Sequence, residues 1–231
     1  MSYKFGQYMI LAVGALGLAA LPAAADTPCA SALLSSYLVS GFTCSVGDLD
    51  FSDFSFNTGG TNPVTAAGVG VTPVTSPDGP GLDFDPSGFV SGDGLSQDVM
   101  VGFTVTAAPG VLIDDIYMGF GNVTTSGTGT ALYTENFCGG PEDSCSLFVE
   151  APTTSDTNAV KLSSTDIGGP VSSLNITKDL TLQTGTDGLA ATSSFLNEYS
   201  TVPEPRAVSL VLGLGLLAGF VFFKRRQVAQ S

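Results

Sequence analysis

Val99, Val101, Phe103 and Val105 alternate with Met100, Gly102, Thr104 and Thr106. A period of two places one set of side chains on a buried face and the other toward solvent, which makes a half-buried β-strand. Ile116, Met118 and Phe120 alternate in the same way. Leu49 and Phe51 begin a further strand, and Phe54 and Phe56 continue it out of phase. That slip predicts a bulge at Asp53. Weaker runs lie at 69–72, 131–137, 147–150, 171–176 and 179–183. Turn residues separate the runs: Asp78-Gly79-Pro80-Gly81, Ser91-Gly92-Asp93-Gly94, Pro109-Gly110 and Thr186-Asp187-Gly188. Many short strands with such turns predict a mainly β chain, an antiparallel β-sandwich or jelly-roll-like ectodomain with one short N-terminal helix.

Charge divides the 231-residue chain into three parts. All 21 acidic residues lie from Asp26 to Glu204, against only Lys161 and Lys178 in the same stretch. The other basic residues sit at the ends: Lys4, Arg206, Lys224, Arg225 and Arg226. An acidic middle without clustered Lys or Arg excludes a nucleic-acid partner. The chain has no His. That removes His-dependent triads, His-ligated zinc and a His general base.

The N-terminus has the layout of a signal peptide over residues 1–25. Lys4 gives a positive start, 9–21 is an apolar run of 13 residues, and Pro22 precedes Ala23-Ala24-Ala25. The run is short for a membrane span, and the small residues form an A-x-A cleavage site before Asp26. At the other end, Val202-Pro203-Glu204-Pro205 and Arg206 precede 17 uncharged residues, 207–223, and then Lys224-Arg225-Arg226. Seventeen helical residues reach roughly 25 Å, enough for a bilayer core. The basic tail, 224–226, would remain cytoplasmic and hold the 26–200 domain outside the inner membrane.

This C-terminal region, 201–226, resembles the PEP-CTERM protein-sorting signal of Gram-negative bacteria, a module also catalogued under an ice-binding-protein C-terminal label. The residues that carry the resemblance are Pro203-Glu204-Pro205, the span 207–223 and the closing Lys224-Arg225-Arg226. The resemblance implies an exosortase as partner, a membrane protease-transpeptidase that cuts at or near the motif. It implies a transient inner-membrane anchor, release to the cell surface or extracellular space, and a polysaccharide matrix as surroundings. The 178–199 stretch also looks like the last β-hairpin of many such proteins, with a linker starting at Ser200 and Thr201. Residues 29–56 look similar to their opening segment.

Four Cys in an exported chain imply two disulfides with three connectivities. Spacing favours the local pairs Cys29 with Cys44 and Cys138 with Cys145, worth about 3 and 2.5 kcal/mol in a loop-closure account. The first pair limits the early helix. Thr27 as N-cap, Pro28 at the first position and Gly41 as terminator suggest 28–40, with Leu33, Leu34, Tyr37 and Leu38 on one face. A helix of that length spans roughly 18 Å. Three further residues do not return Cys44 to disulfide distance. The local pair therefore implies a shorter helix, about 30–38.

Chemistry-bearing patterns are few. Asp48, Asp50, Asp83 and Asp85 are candidate calcium ligands, because calcium takes oxygen donors from clustered carboxylates. No EF-hand loop is present, and Asp48 and Asp50 also fit the solvent face of a strand. No other cofactor is indicated, and no residue stands out as catalytic. The expected function is an exported, non-catalytic surface or matrix protein, structural or adhesive. The alternative is a secreted hydrolase or carbohydrate-binding domain using acidic residues.

Overall fold

The computed structural model describes residues 27–86, 88–139, 145–150, 159–162 and 167–205. The signal peptide, the 207–223 span and the basic tail read from the sequence lie outside these residues. No helix among the described residues is long and apolar enough to cross a membrane.

In chain order the strands are β1 (Ala32–Leu33), β2 (Thr43–Val46), β3 (Leu49–Gly60), β4 (Gly70–Ser76) and β5 (Gly79–Asp85). Then come β6 (Gly88–Gly92), β7 (Ser96–Ala107), β8 (Val111–Gly121), β9 (Thr124–Ser126) and β10 (Thr130–Cys138). The last five are β11 (Cys145–Glu150), β12 (Ala159–Leu162), β13 (Ser173–Gln183), β14 (Gly188–Thr192) and β15 (Ser194–Pro203). One helix, α1 (Leu34–Tyr37), follows β1. One sheet has the order β1-β4-β5-β15-β8-β12 and a second β11-β10-β13-β7-β3-β2, with β6-β14-β9 as a third. Adjacent strands in all three run antiparallel.

The two six-stranded sheets meet face to face, as their aromatic contacts show. Phe103 of β7 stacks on Phe84 of β5 with ring centres 5.6 Å apart. Phe51 of β3 meets Tyr199 of β15 at 6.2 Å, and Tyr133 of β10 meets Phe195 of β15 at 6.0 Å. The alternation around Val99–Val105 is β7, whose odd-numbered residues from Val99 to Val105 are all buried. At Asp53 the pairing of β3 on β7 shifts between Ser52 and Ser55, and Asp53 takes a φ of 53°. The extra residue lets Phe51 and Phe54 both reach Phe103 despite their odd spacing. The bulge thus sits where the out-of-phase apolar pair placed it.

The structure differs from the sequence expectations in three places. First, the early helix is one turn, Leu34–Tyr37, and neither 28–40 nor 30–38. The Cys29–Cys44 disulfide forms, with a Cα separation of 4.8 Å. The Cys29 N–H donates to Ser45 O, and the Ser45 N–H donates to Thr27 O, both at 2.9 Å. Residues 27–29 are held extended along β2, so a helix cannot start at Pro28. Second, the runs at 171–176 and 179–183 are not separate strands: β13 runs unbroken through Thr177 and Lys178. Third, the 178–199 stretch is not a hairpin. β13 and β15 belong to different sheets, and β14 lies between them in the third. β15 also carries on through Ser200–Pro203, which had read as the start of a linker.

Cys138 is disulfide-bonded, and Cys145 stands directly opposite it in the β10–β11 register.

Candidate functional site

Between the sheets, the inward positions of three strands carry polar side chains in phase with apolar ones. On β13 the buried series is Leu174, Ile176, Lys178, Leu180 and Leu182. On β10 it is Ala131, Tyr133, Glu135 and Phe137. On β15, Phe195, Asn197 and Tyr199 point the same way. Lys178 and Glu135 face each other directly in the β10–β13 register. Lys178, Glu135, Asn197 and Tyr133 are each 0% exposed.

The Lys178 Nζ donates to Glu135 Oε2 at 3.0 Å and to the Tyr133 hydroxyl at 2.6 Å. It is also 3.5 Å from the Leu196 carbonyl oxygen. The Tyr133 hydroxyl donates to Glu135 Oε2. The Asn197 Nδ2 donates to the other oxygen, Glu135 Oε1, at 3.0 Å. Tyr133 and Phe195 flank the ammonium, with ring centres 5.1 and 5.3 Å from Nζ. Burial pushes the Lys178 pKa down from 10.5, against the opposing pull of Glu135 and, after it, Asp83. An isolated charge in this setting costs several kcal/mol, so the group stays either paired or neutral. Asn197 Oδ1 and the Tyr199 hydroxyl are buried without a hydrogen-bond partner among the described residues.

Sequence reading missed this cluster. The available signal was a Lys in step with Leu174, Ile176, Leu180 and Leu182, and a Glu in step with Tyr133 and Phe137. A charged residue at the apolar phase of an otherwise regular alternation marks a charge carried inward.

β5 approaches β15 closely beside Asn197. A Cβ at Gly81 would stand 1.8 Å from the Asn197 carbonyl oxygen, so this position admits only glycine.

The expected site residues are distributed as follows. Val202 and Pro203 are the last residues of β15, opposite Leu112 and Val111 of β8. The Glu204 N–H donates to Gly110 O at 2.9 Å. Pro203 and Pro205 are exposed. Val202 and Pro203 are thus extended within β15, and Pro205 is helical. Of the calcium candidates, Asp48 is exposed between β2 and β3, Asp50 is on β3, and Asp83 and Asp85 are on β5 in the other sheet. Among the described residues, no group of three or more His, Cys, Asp or Glu is placed to hold a metal ion.

A different acidic pair does form, on the outer face of the second sheet. The Asp179 pKa is raised from 3.8 to about 6 by burial first, then by the hydrogen bond and charge of Asp98. A carboxyl with a raised folded pKa binds its proton more tightly folded than unfolded. Its stabilisation is complete below the unfolded value and is lost as pH rises through about 6. The domain is therefore expected to lose stability between pH 4 and 6 through this pair, by about 1 kcal/mol after solvent screening. Urea midpoints across that range check this, with Asp98→Asn expected to flatten the fall and raise the midpoint at pH 7.

No family model matches the chain. No curated protein matches it. Among solved structures it is similar to TmCBM61 in complex with beta-1,4-galactotriose, with 14% identity, a TM-score of 0.32, and 63% of this chain and 88% of that one covered. It is similar to the enzymatically active domain of bacteriophage CBA120 tailspike protein 4 at 15% identity and TM-score 0.30, covering 64% of this chain and 20% of that one. A third likeness is to carbohydrate-binding modules of the β-sandwich superfamily, at 12% identity and TM-score 0.32, covering 77% and 63%. Likenesses of this size carry no argument about what this chain binds or does.

Proposed function

We propose that the chain is an exported, non-catalytic surface or matrix protein, structural or adhesive, sorted by an exosortase at Val202-Pro203-Glu204-Pro205. The observation that carries the reading is the position of that motif. It lies at the end of β15, where Pro203 and Pro205 are exposed. Each proline lacks an N–H and restricts its predecessor, and the exposed prolines are what a protease groove would meet first. The Cys29–Cys44 bridge agrees with an oxidising compartment. In this reading the precursor is anchored by 207–223 with its domain in the periplasm and Lys224, Arg225 and Arg226 inside, and cleavage frees the domain into the surface matrix.

Replacing Pro203, Glu204 and Pro205 together by Ala is expected to leave uncleaved protein in the inner membrane. Cell fractionation and mass spectrometry of the released domain read this out. Release of the altered protein at its wild-type mass would overturn the assignment.

One observation favours the alternative of carbohydrate binding. A recess of 320 Å³ beside α1 is bordered by Phe42, Phe54, Ser40 and Asp53. Aromatic edges next to polar groups suit a sugar. Retention on polysaccharide gels that Phe42→Ala abolishes would select this reading. For hydrolysis, the Asp98–Asp179 pair is unsuitable. Its carboxyls share a hydrogen bond, whereas glycosidases separate theirs by about 5 to 9 Å.

A further inference from the structure

Lys178, Glu135 and Asn197 are arranged as an amine nucleophile, a proton-transfer group and an amide electrophile. We propose that Lys178 and Asn197 become joined by an intramolecular isopeptide bond, formed within the folded domain with Glu135 as the acid-base catalyst.

One carboxyl group holds both partners: Glu135 Oε2 is 3.0 Å from Lys178 Nζ, and Oε1 is 3.0 Å from Asn197 Nδ2. The Lys178 Nζ also reaches to 3.5 Å from the carbonyl oxygen of Leu196, the residue joined to Asn197. Reactants held in this way act at very high effective concentration. The aromatic surround of Tyr133, Phe195 and Tyr199 keeps water out, and all three are buried. Passing one proton from Lys178 to Glu135 within the pair would leave the amine neutral, and burial depresses the Lys178 pKa in that sense. A neutral amine is the nucleophilic form.

The unsatisfied atom is also informative. Asn197 Oδ1 is buried with no hydrogen-bond partner among the described residues. Turning the amide over would direct Oδ1 at Glu135 Oε1, where a protonated carboxyl donates to it. That donation polarises the amide carbon and stabilises the oxyanion as it forms.

The step balances without any further reagent. The Lys178 Nζ lone pair attacks Asn197 Cγ, and the Glu135 proton moves to Oδ1. The tetrahedral carbon then collapses: a proton from Nζ is relayed through Glu135 to Nδ2, the Cγ–Nδ2 bond breaks with loss of ammonia, and Oδ1 returns its proton to Glu135 as the C=O bond re-forms. One C–N bond forms, one breaks, one ammonia is released, and Glu135 is regenerated. No oxidation occurs.

Lys178 lies on β13 of one sheet and Asn197 on β15 of the other. The bond therefore ties the two layers of the sandwich together at the strand that leads out to the sorting motif. Force applied at the C-terminal end of β15 would pass covalently into β13. The bond's formation does not depend on the sorting reading. Only its mechanical use does.

The test is the mass of the oxidised protein as exported by its own cells. A digest is expected to contain one branched peptide linking Lys178 to Asn197, lighter than its two parts by one ammonia, about 17 Da. Lys178→Arg and Asn197→Ala should each abolish the branch. Glu135→Gln should abolish it with both reacting residues intact, which separates catalysis from packing. The wild-type digest decides the matter even if a variant fails to fold. Recovering Lys178 and Asn197 in separate, unmodified peptides would overturn the proposal, and so would an ammonia deficit confined to the Asn197 peptide.

Discussion

Glu135→Leu is expected to be less stable than the double variant Glu135→Leu/Lys178→Met by about 3 kcal/mol at pH 7. Neither protein can form a Lys178–Asn197 bond that requires Glu135, so the comparison isolates the stranded charge. In the single variant the ammonium stays 0% exposed between the sheets without its carboxylate. In the double variant an unbranched apolar chain fills the same space. The pH dependence gives an independent check. Burial already pulls the Lys178 pKa below 10.5, and losing Glu135 removes the first-ranked opposing influence. A base with a depressed folded pKa binds fewer protons folded than unfolded. Stability then rises with pH from the folded pKa up toward the unfolded one. The gap between the single and double variants should narrow from pH 7 to 10. Urea unfolding at several pH values measures it. A gap of zero at every pH would mean that Lys178 swings out to solvent when unpaired.

Phe103→Ala is expected to cost about 3 to 5 kcal/mol, the range for deleting a buried aromatic side chain. Phe103 is 3% exposed and touches rings from both sheets: Phe51 and Phe54 of β3 at 6.0 and 5.8 Å, and Phe84 of β5 at 5.6 Å. Phe84 in turn stacks on Phe195 at 5.4 Å, beside Lys178. The ring thus links the Asp53 bulge to the polar cluster through one continuous aromatic row. A shift in urea midpoint with an unchanged slope is the expected signature. A loss under about 1 kcal/mol would contradict close packing of the sheets at this point.

Some of this molecule is decided by local rules and is open to a reader of the sequence alone. The period-two pattern of β7 reports its buried face, because side chains on a strand alternate whatever they pack against. The phase slip between Phe51 and Phe54 reports the Asp53 bulge for the same reason. Cys29 and Cys44 are close enough in sequence for chain statistics to favour their union. Other features depend on which strands meet, and alternation does not carry that information. Lys178 interrupts an apolar run and read as a gap between strands, yet β13 passes straight through it. Its burial is tolerable only because Glu135 stands opposite on β10 and Tyr133 lies beside it, 43 and 45 residues away in the chain. The 178–199 stretch, which holds parts of β13 and β15, looked like a hairpin by resemblance to other proteins. The insertion of β14 into a third sheet sends them to opposite layers instead. That separation brings Asn197 across the core to the carboxylate that holds Lys178. A buried charge is affordable only with its partner in place, and the partner's place is a property of the sheet order rather than of any one segment.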